Sequence, residues 1–328
     1  LLLAAACLSQ GQTVFTGDEQ IRRRSAANLI AALADLGARA ESTRGNGCAP
    51  FVCQGPLRGG QTAIECPTSQ YLSALLLATP LAEEDTTIEV PLLNEKPYVD
   101  ITLSWLDAQQ IRYEREGYGR FKIQGGQSYR AFDRALSGDY SSAGFLFCAA
   151  AVGKAPVTVS GLDPRDPQGD KGMLGILERM GCRIEWRGAE VTVYPPASAD
   201  GLRGGTFDLN AMPDALPALA VTAAFARAEV RLTNVPQARE KETDRIAVMA
   251  SLLSELGVDC EELPDGLVIR GRGRLGGGRV HGHGDHRVVM SLAVGALGAV
   301  EPLTIEGAEA AGVTFPGFFD ALEQLRSA

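Results

Sequence analysis

The densest chemistry in the sequence is the run Gln237-Ala238-Arg239-Glu240-Lys241-Glu242-Thr243-Asp244-Arg245, where acids and bases crowd ahead of an apolar stripe. Ile246, Met249, Leu252, Leu253 and Leu256 recur at helical spacing and stop at Gly257. The pattern predicts a helix whose first turn is KETDR. Acids suit a helix N-terminus, which carries partial positive charge. Lys241 and Arg245 do not, unless an anion lies between them and the exposed backbone N–H groups. The run therefore points to anion binding. Taken alone, its commoner use is a solvated helix start with a Glu242–Arg245 pair at i,i+3, and the rest of the chain has to decide.

The elements that would position these residues repeat. Four polar pairs, Ser69-Gln70, Ser141-Ser142, Pro213-Asp214 and Asp285-His286, each open an apolar helix-like run, and each begins 72 residues after the last. Gly37, Gln109 and Gly181 end helical patterns at the same step, with Gly257 four residues late, and strand-like segments such as Arg183 to Trp186 and Val191 to Tyr194 follow. A fixed period of this length predicts an α/β chain of repeated units that bury their apolar faces on one another. Polar residues recur where helices begin, so several helix N-termini could face one multiply anionic ligand. The plainer reading makes Ser69, Ser141 and Asp214 N-caps. Stepping back one period from Ser69 passes the first residue. LLLAAAC then reads as the body of an earlier unit's first helix, and the expectation is a chain lacking its beginning. Its likeness to a secretory signal is weakened by the absence of basic residues ahead of the apolar run. At the other end, FPGFFDALEQL needs a strand from elsewhere.

With 328 residues, 45% hydrophobic and 22% charged, the chain has the makings of two globular domains. A net charge of −9 argues against a nucleic-acid surface or a polybasic membrane patch. No apolar run approaches the roughly 18 residues of a membrane helix. Seven cysteines without a CxxC pair predict reduced thiols, and hence the cytoplasm, rather than disulfides or a zinc ribbon.

KETDRI before a helix, PDA opening one, TSQYLSALL, KPYVDITL, GDHR and TFPGFF together resemble the 5-enolpyruvylshikimate-3-phosphate synthase family, from Leu1 to the C-terminus. The resemblance implies two domains of repeated α/β units closing over a cleft. It also implies transfer of the enolpyruvyl group of phosphoenolpyruvate to the 5-hydroxyl of shikimate 3-phosphate, by a monomer without metal or organic cofactor. By analogy the domains are 1–137, a partial shikimate 3-phosphate-binding domain, and 138–328, a nearly complete domain with the catalytic groups. Matched by motif, Thr68, Ser69 and Gln70 hold shikimate 3-phosphate with Tyr98 stacked nearby. Asp214 takes the 5-hydroxyl proton, Glu242 protonates the methylene carbon of phosphoenolpyruvate, and Lys241 stabilises developing charge. Arg24, Arg245 and Arg287 grip phosphoenolpyruvate, and Gln237 and His286 complete the substrate contacts.

Three positions depart from the family's pattern: Val313 stands for a lysine before TFP, Glu95 for the serine before KPY, and Gln237 for an asparagine. Val313 removes a cation, which predicts weaker binding of phosphoenolpyruvate and of the inhibitor glyphosate. The family's first substrate-binding Lys-Ser pair and an arginine would precede Leu1, so the 328 residues alone are expected to be inactive. Three competing readings remain. HGHGDH fits a zinc hydrolase pattern, although all three histidines lie in that one motif. Enolpyruvyl transfer to UDP-N-acetylglucosamine shares the fold but needs a reactive thiol in a mobile basic loop. A non-catalytic repeat scaffold is the third.

Overall fold

The computed structural model describes residues 1–199 and 201–327. Two compact units account for it, Leu1–Ala135 and Leu136–Ala328. Each has its own apolar core.

In the first unit, a four-stranded sheet runs in the order Gly60–Ala63, Thr86–Glu89, Arg120–Ile123, Tyr113–Glu116, with the first pair parallel and the others antiparallel. A parallel pair needs a crossover, and the Ser69–Ala78 helix supplies it. Seven of that helix's ten residues are buried, among them Leu72, Leu75 and Leu76. The Lys96–Ala108 helix packs beside it, joined by a 2.7 Å hydrogen bond between the hydroxyls of Ser73 and Thr102. A three-stranded antiparallel sheet, with Phe51–Gln54 between Thr13–Phe15 and Arg39–Ser42, completes the unit's sheets.

The second unit repeats the four-stranded pattern. Gly205–Asp208 pairs parallel with Glu229–Thr233, and Gly266–Arg270 and Asp259–Leu263 follow antiparallel. Its crossover helix, Leu216–Ala224, is buried at all nine residues. A helix that is apolar all round belongs inside a core. Here Tyr140–Gly153 and His286–Ala296 pack against it. The unit also holds the antiparallel sheet Val157–Ser160, Glu190–Tyr194, Arg183–Arg187, and the parallel pair Gly278–His281 with Leu303–Glu306. Among the described residues no helix is long and apolar enough to cross a membrane.

The helix starts differ from their sequence expectation in four places. KETDR is not a first helical turn: the helix is Arg245–Glu255, and Lys241 is extended. The reason is Asp244, whose Oδ1 accepts from the Ala247 N–H at 3.0 Å and so caps the helix only one residue before Arg245. At Tyr140–Gly153 the cap is Asp139, which accepts from the N–H groups of Ser141 and Ser142, so Ser141 is no cap. Ser69 and Asp214 are not caps either. Ser69 is the first residue of its helix, and Asp214 lies in the short 3-10 turn Pro213–Ala215 ahead of Leu216–Ala224.

Candidate active site

Three helix starts of the second unit converge on one set of charges. Asp214 comes from the turn before Leu216–Ala224, Arg245 opens Arg245–Glu255, and Asp285 caps His286–Ala296. Arg245 is the centre. Its side chain is 1% exposed, and its guanidinium donates from Nη1 to Asp214 at 2.7 Å and from Nη2 to Glu242 at 2.6 Å. Asp285 takes the remaining edge, accepting from Nε at 2.8 Å and from Nη2 at 3.2 Å. A planar fork of donors suits this three-sided arrangement in a way that a point-charge ammonium would not. The Glu242 contact is the i,i+3 pair expected of a bland helix start, made across the cap rather than within the helix.

Asp214 is the carboxylate that the cationic pattern around Lys241 and Arg245 calls for. Besides Arg245 it has Arg287 Nη2 at 3.3 Å and Lys241 Nζ at 3.9 Å. Burial alone would raise its carboxyl. Arg287, Arg245 and Lys241 outweigh that and hold it well below the usual carboxylate range. Arg245 itself is kept charged, because its three carboxylate partners more than offset burial. Burial would likewise raise Asp285, yet Arg245 and the Arg287 N–H bring it below the ordinary aspartate value. His286, 7% exposed, is shifted down by burial and by Arg287 and Arg245, so its imidazole is neutral at pH 7.

Gln237 lies in the preceding 3-10 turn, Pro236–Glu240, and is 6% exposed. Its amide donates to the Asn210 carbonyl at 3.1 Å. Its Oε1 is buried without a hydrogen-bond partner among the described residues. A buried orphan acceptor is costly, so a donor from a bound molecule fits there.

In the first unit, Thr68, Ser69 and Gln70 stand together at the N-terminus of Ser69–Ala78. Glu95 reaches this point from the start of the neighbouring helix: its Oε2 accepts from the Ser69 N–H at 3.2 Å and from the Ser69 hydroxyl at 2.9 Å. Tyr98, half-buried, lies in the first turn of Lys96–Ala108 and donates its N–H to the Glu95 carbonyl at 3.0 Å. Arg24 is exposed just after the 3-10 turn Ile21–Arg23. Val313, 77% exposed, ends the 3-10 segment Ala308–Val313.

Asp285 and Glu95 are the residues whose roles pattern reading did not supply. The signal for Asp285 was present, an acid immediately before an apolar helical run in GDHR. Nothing local could reveal that it also grips Arg245, 40 residues earlier. The histidine-rich loop makes a different use of its rings. His281 Nδ1 accepts from the His283 N–H at 2.8 Å, and among the described residues no group of three or more His, Cys, Asp or Glu is placed to hold a metal ion. All seven cysteines are free thiols, six buried and Cys260 partly so.

Comparison with known proteins bears on this site. The family model for EPSP synthase (3-phosphoshikimate 1-carboxyvinyltransferase) matches residues 1–322. A 3-phosphoshikimate 1-carboxyvinyltransferase of Ruminiclostridium cellulolyticum is 49% identical over 321 residues, an overlap of 98% of this chain and 75% of that protein. The protein so named in Halobacterium salinarum is 44% identical over 336 residues, covering 99% and 76%. Among solved structures, EPSP synthase from Acinetobacter baumannii superposes with a TM-score of 0.80 at 28% identity, over 99% of this chain and 76% of that one. The enolpyruvyl transferase NikO from Streptomyces tendae shares the fold, with a TM-score of 0.76 at 20% identity over 99% and 75%.

Proposed function

Because the chain belongs to the EPSP synthase family, we propose that the charge cluster of its second unit performs the 3-phosphoshikimate 1-carboxyvinyltransferase reaction. The activity moves the enolpyruvyl group of phosphoenolpyruvate to the 5-hydroxyl of shikimate 3-phosphate and releases phosphate, a step of the shikimate pathway to the aromatic amino acids. The observation that carries the assignment of roles is the Asp214 carboxylate ringed by Arg245, Arg287 and Lys241.

Asp214 orients the 5-hydroxyl and takes its proton as the oxygen bonds to the central carbon of phosphoenolpyruvate. Glu242, 2.6 Å from Arg245, takes up a proton from solvent as the substrates bind and gives it to the methylene carbon, and Lys241 stabilises the charge of the tetrahedral intermediate. In the second half, Glu242 takes a proton back from that carbon while the bond to phosphate breaks. The vinyl double bond is restored, and the hydroxyl's proton leaves with phosphate. Arg287 meets the carboxylate and phosphate of phosphoenolpyruvate, and Arg245, its donors engaged by Asp214, Glu242 and Asp285, holds those carboxylates in place. The orphan Oε1 of Gln237 accepts from a substrate hydroxyl, and His286 is a neutral contact.

Within this reading, residues 1–137 hold shikimate 3-phosphate through Thr68, Ser69, Gln70 and Tyr98, and residues 138–328 carry the catalytic groups. The shared strand order of the two four-stranded sheets supports a chain of repeated α/β units of about 72 residues. We take the enzyme to be a cytoplasmic monomer. The chain spans about 75% of the length of the relatives named above, and by itself is expected not to turn over.

The experiment is a single-turnover assay of the chain, alone and joined to the N-terminal segment of a relative. The joined protein should turn over. Asp214→Asn, Lys241→Met and Glu242→Gln should each lower its rate by roughly 10²- to 10⁴-fold. A loss below tenfold for Asp214→Asn would remove Asp214 from its role, and turnover by the unjoined chain would overturn the expectation of inactivity.

A further inference from the structure

The helix N-terminus assigned above to shikimate 3-phosphate is filled by one of the protein's own carboxylates. Glu95 is 3% exposed. Its Oε2 takes the Ser69 N–H at 3.2 Å, the Ser69 hydroxyl at 2.9 Å and the Thr68 hydroxyl at 3.4 Å. These are the donors a phosphate would use at this place: an N–H without an intrahelical partner at the start of a ten-residue helix, with the hydroxyls of Thr68 and Ser69. Glu95 is also set up to make the contact. Its backbone is left-handed, with φ 58° and ψ 41°, a conformation that a long side chain rarely adopts. The hydroxyl pair Ser73–Thr102 ties the two helices together one turn further along, which fixes the reach of the side chain.

We propose that Glu95 is a specificity-determining residue, an internal anion that occupies the 3-phosphate seat at Ser69 and has to withdraw before a phosphate monoester binds. The proposal rests on the reading that Thr68, Ser69 and Gln70 hold the 3-phosphate. A carboxylate and a phosphate cannot share the same N–H and hydroxyls, and two anions at hydrogen-bonding range repel each other. Binding of the phosphorylated substrate therefore spends part of its interaction on displacing Glu95, whereas a ligand lacking the phosphate meets no such competition. The seat is selective against weakly held anions, because each one has to replace hydrogen bonds that are already charge-assisted.

The test uses the 328-residue chain, Glu95→Ser and Glu95→Gln, with inorganic phosphate, shikimate 3-phosphate and unphosphorylated shikimate as probes. Dissociation constants come from calorimetry, and the backbone amide signal of Ser69 reports the seat directly. Glu95→Ser should bind shikimate 3-phosphate about tenfold tighter or better, the size of effect expected from removing a charge-assisted competitor. Its Ser69 amide should move with inorganic phosphate at concentrations that leave the parent chain unmoved, and shikimate affinity should not change. Glu95→Gln keeps the side chain's size, guards against a folding artefact and should recover part of the gain. If the Ser69 amide responds in all three proteins with equal constants, the seat stands and the role of Glu95 falls. If no phosphate ligand moves that amide in any of them, and Ser69→Ala alters no constant, the reading of the seat fails and takes the proposal with it.

Discussion

Replacing Asp285 by alanine should destabilise the second unit more than any single change at the candidate acid and base. The carboxylate is 0% exposed and accepts four hydrogen bonds, two from Arg245, one from the Thr243 hydroxyl at 3.1 Å and one from the Arg287 N–H at 2.9 Å. Removing one partner of a buried ion pair costs about 3–5 kcal/mol, because the remaining charge is left in the interior. Loss of an N-cap costs about 1 kcal/mol. One carboxylate does both jobs, so the terms overlap and the expected loss is about 4 kcal/mol. For a unit the size of Leu136–Ala328, a loss of about 4 kcal/mol lowers Tm by roughly 8–16 °C. Asp285→Asn keeps an acceptor and a good cap residue but turns a donor toward Arg245, so it should lose about 2–3 kcal/mol. The two tryptophans fall one in each unit, Trp105 and Trp186. Urea unfolding followed by Trp186 fluorescence in a Trp105→Phe background therefore reads the second unit separately, with stability taken from the midpoint at unchanged slope. A loss below about 1 kcal/mol for Asp285→Ala would refute the view that this carboxylate anchors Arg245.

Acidification supplies a second check, and its sign is determined. The folded values of Asp214 and Asp285 lie below the ordinary 3.8, so their contribution is full above that value and is lost as pH falls through the lower, folded ones. His286 is held below its ordinary 6.5, so the unfolded chain takes up that proton first. The unfolding free energy of the second unit should thus fall from pH 7 downward, with a shallower acid limb in Asp285→Asn; a flat profile would contradict the assignment. Burial pushes the thiols of Cys7, Cys66, Cys148, Cys182 and Cys260 up to about 12. At pH 8 the native chain should react slowly with a disulfide reagent and release its seven equivalents only on unfolding. A rapid stoichiometric burst would instead favour thiol-dependent transfer to UDP-N-acetylglucosamine. Val313→Lys at a 77% exposed position should leave stability within about 0.5 kcal/mol and tighten phosphoenolpyruvate and glyphosate in the joined protein, and matched affinities would refute it.

Local order was legible in the sequence wherever side chain and backbone act within a few residues. The stripe from Ile246 to Leu256 marks the Arg245–Glu255 helix, and the strand segments at Arg183 and Val191 lie in Arg183–Arg187 and Glu190–Tyr194. The start of the KETDR helix was misread because capping is decided by one side-chain bond. Asp244 turns back to Ala247, and a charge pattern does not say which of several acids will do so. The same limit applies at Ser141-Ser142, where Asp139 two residues earlier takes both N–H groups. Pairings across long stretches were beyond pattern altogether. Asp285 meets Arg245 and Glu95 meets Ser69 because helices from different parts of the chain begin side by side, a property of packing that no local spacing encodes.

The charge balance of the cluster links binding to chemistry. Lys241, Arg245 and Arg287 stand against Asp214, Glu242 and Asp285, three cations and three carboxylates. On the proposed function, substrates that bring carboxylate and phosphate have to recruit cations already engaged. Arg245, 1% exposed with its fork filled on every side, is the least able to respond. Arg287 is 13% exposed and touches Asp214 at the longer distance of 3.3 Å, so it is better placed than Arg245 to turn. As Arg287 turns toward the ligand, Asp214 loses the largest of the charges that depress it, while the burial that raises it remains. On the proposed assignment of roles, Asp214 therefore gains basicity when the anions arrive, and proton removal from the 5-hydroxyl is confined to the loaded site.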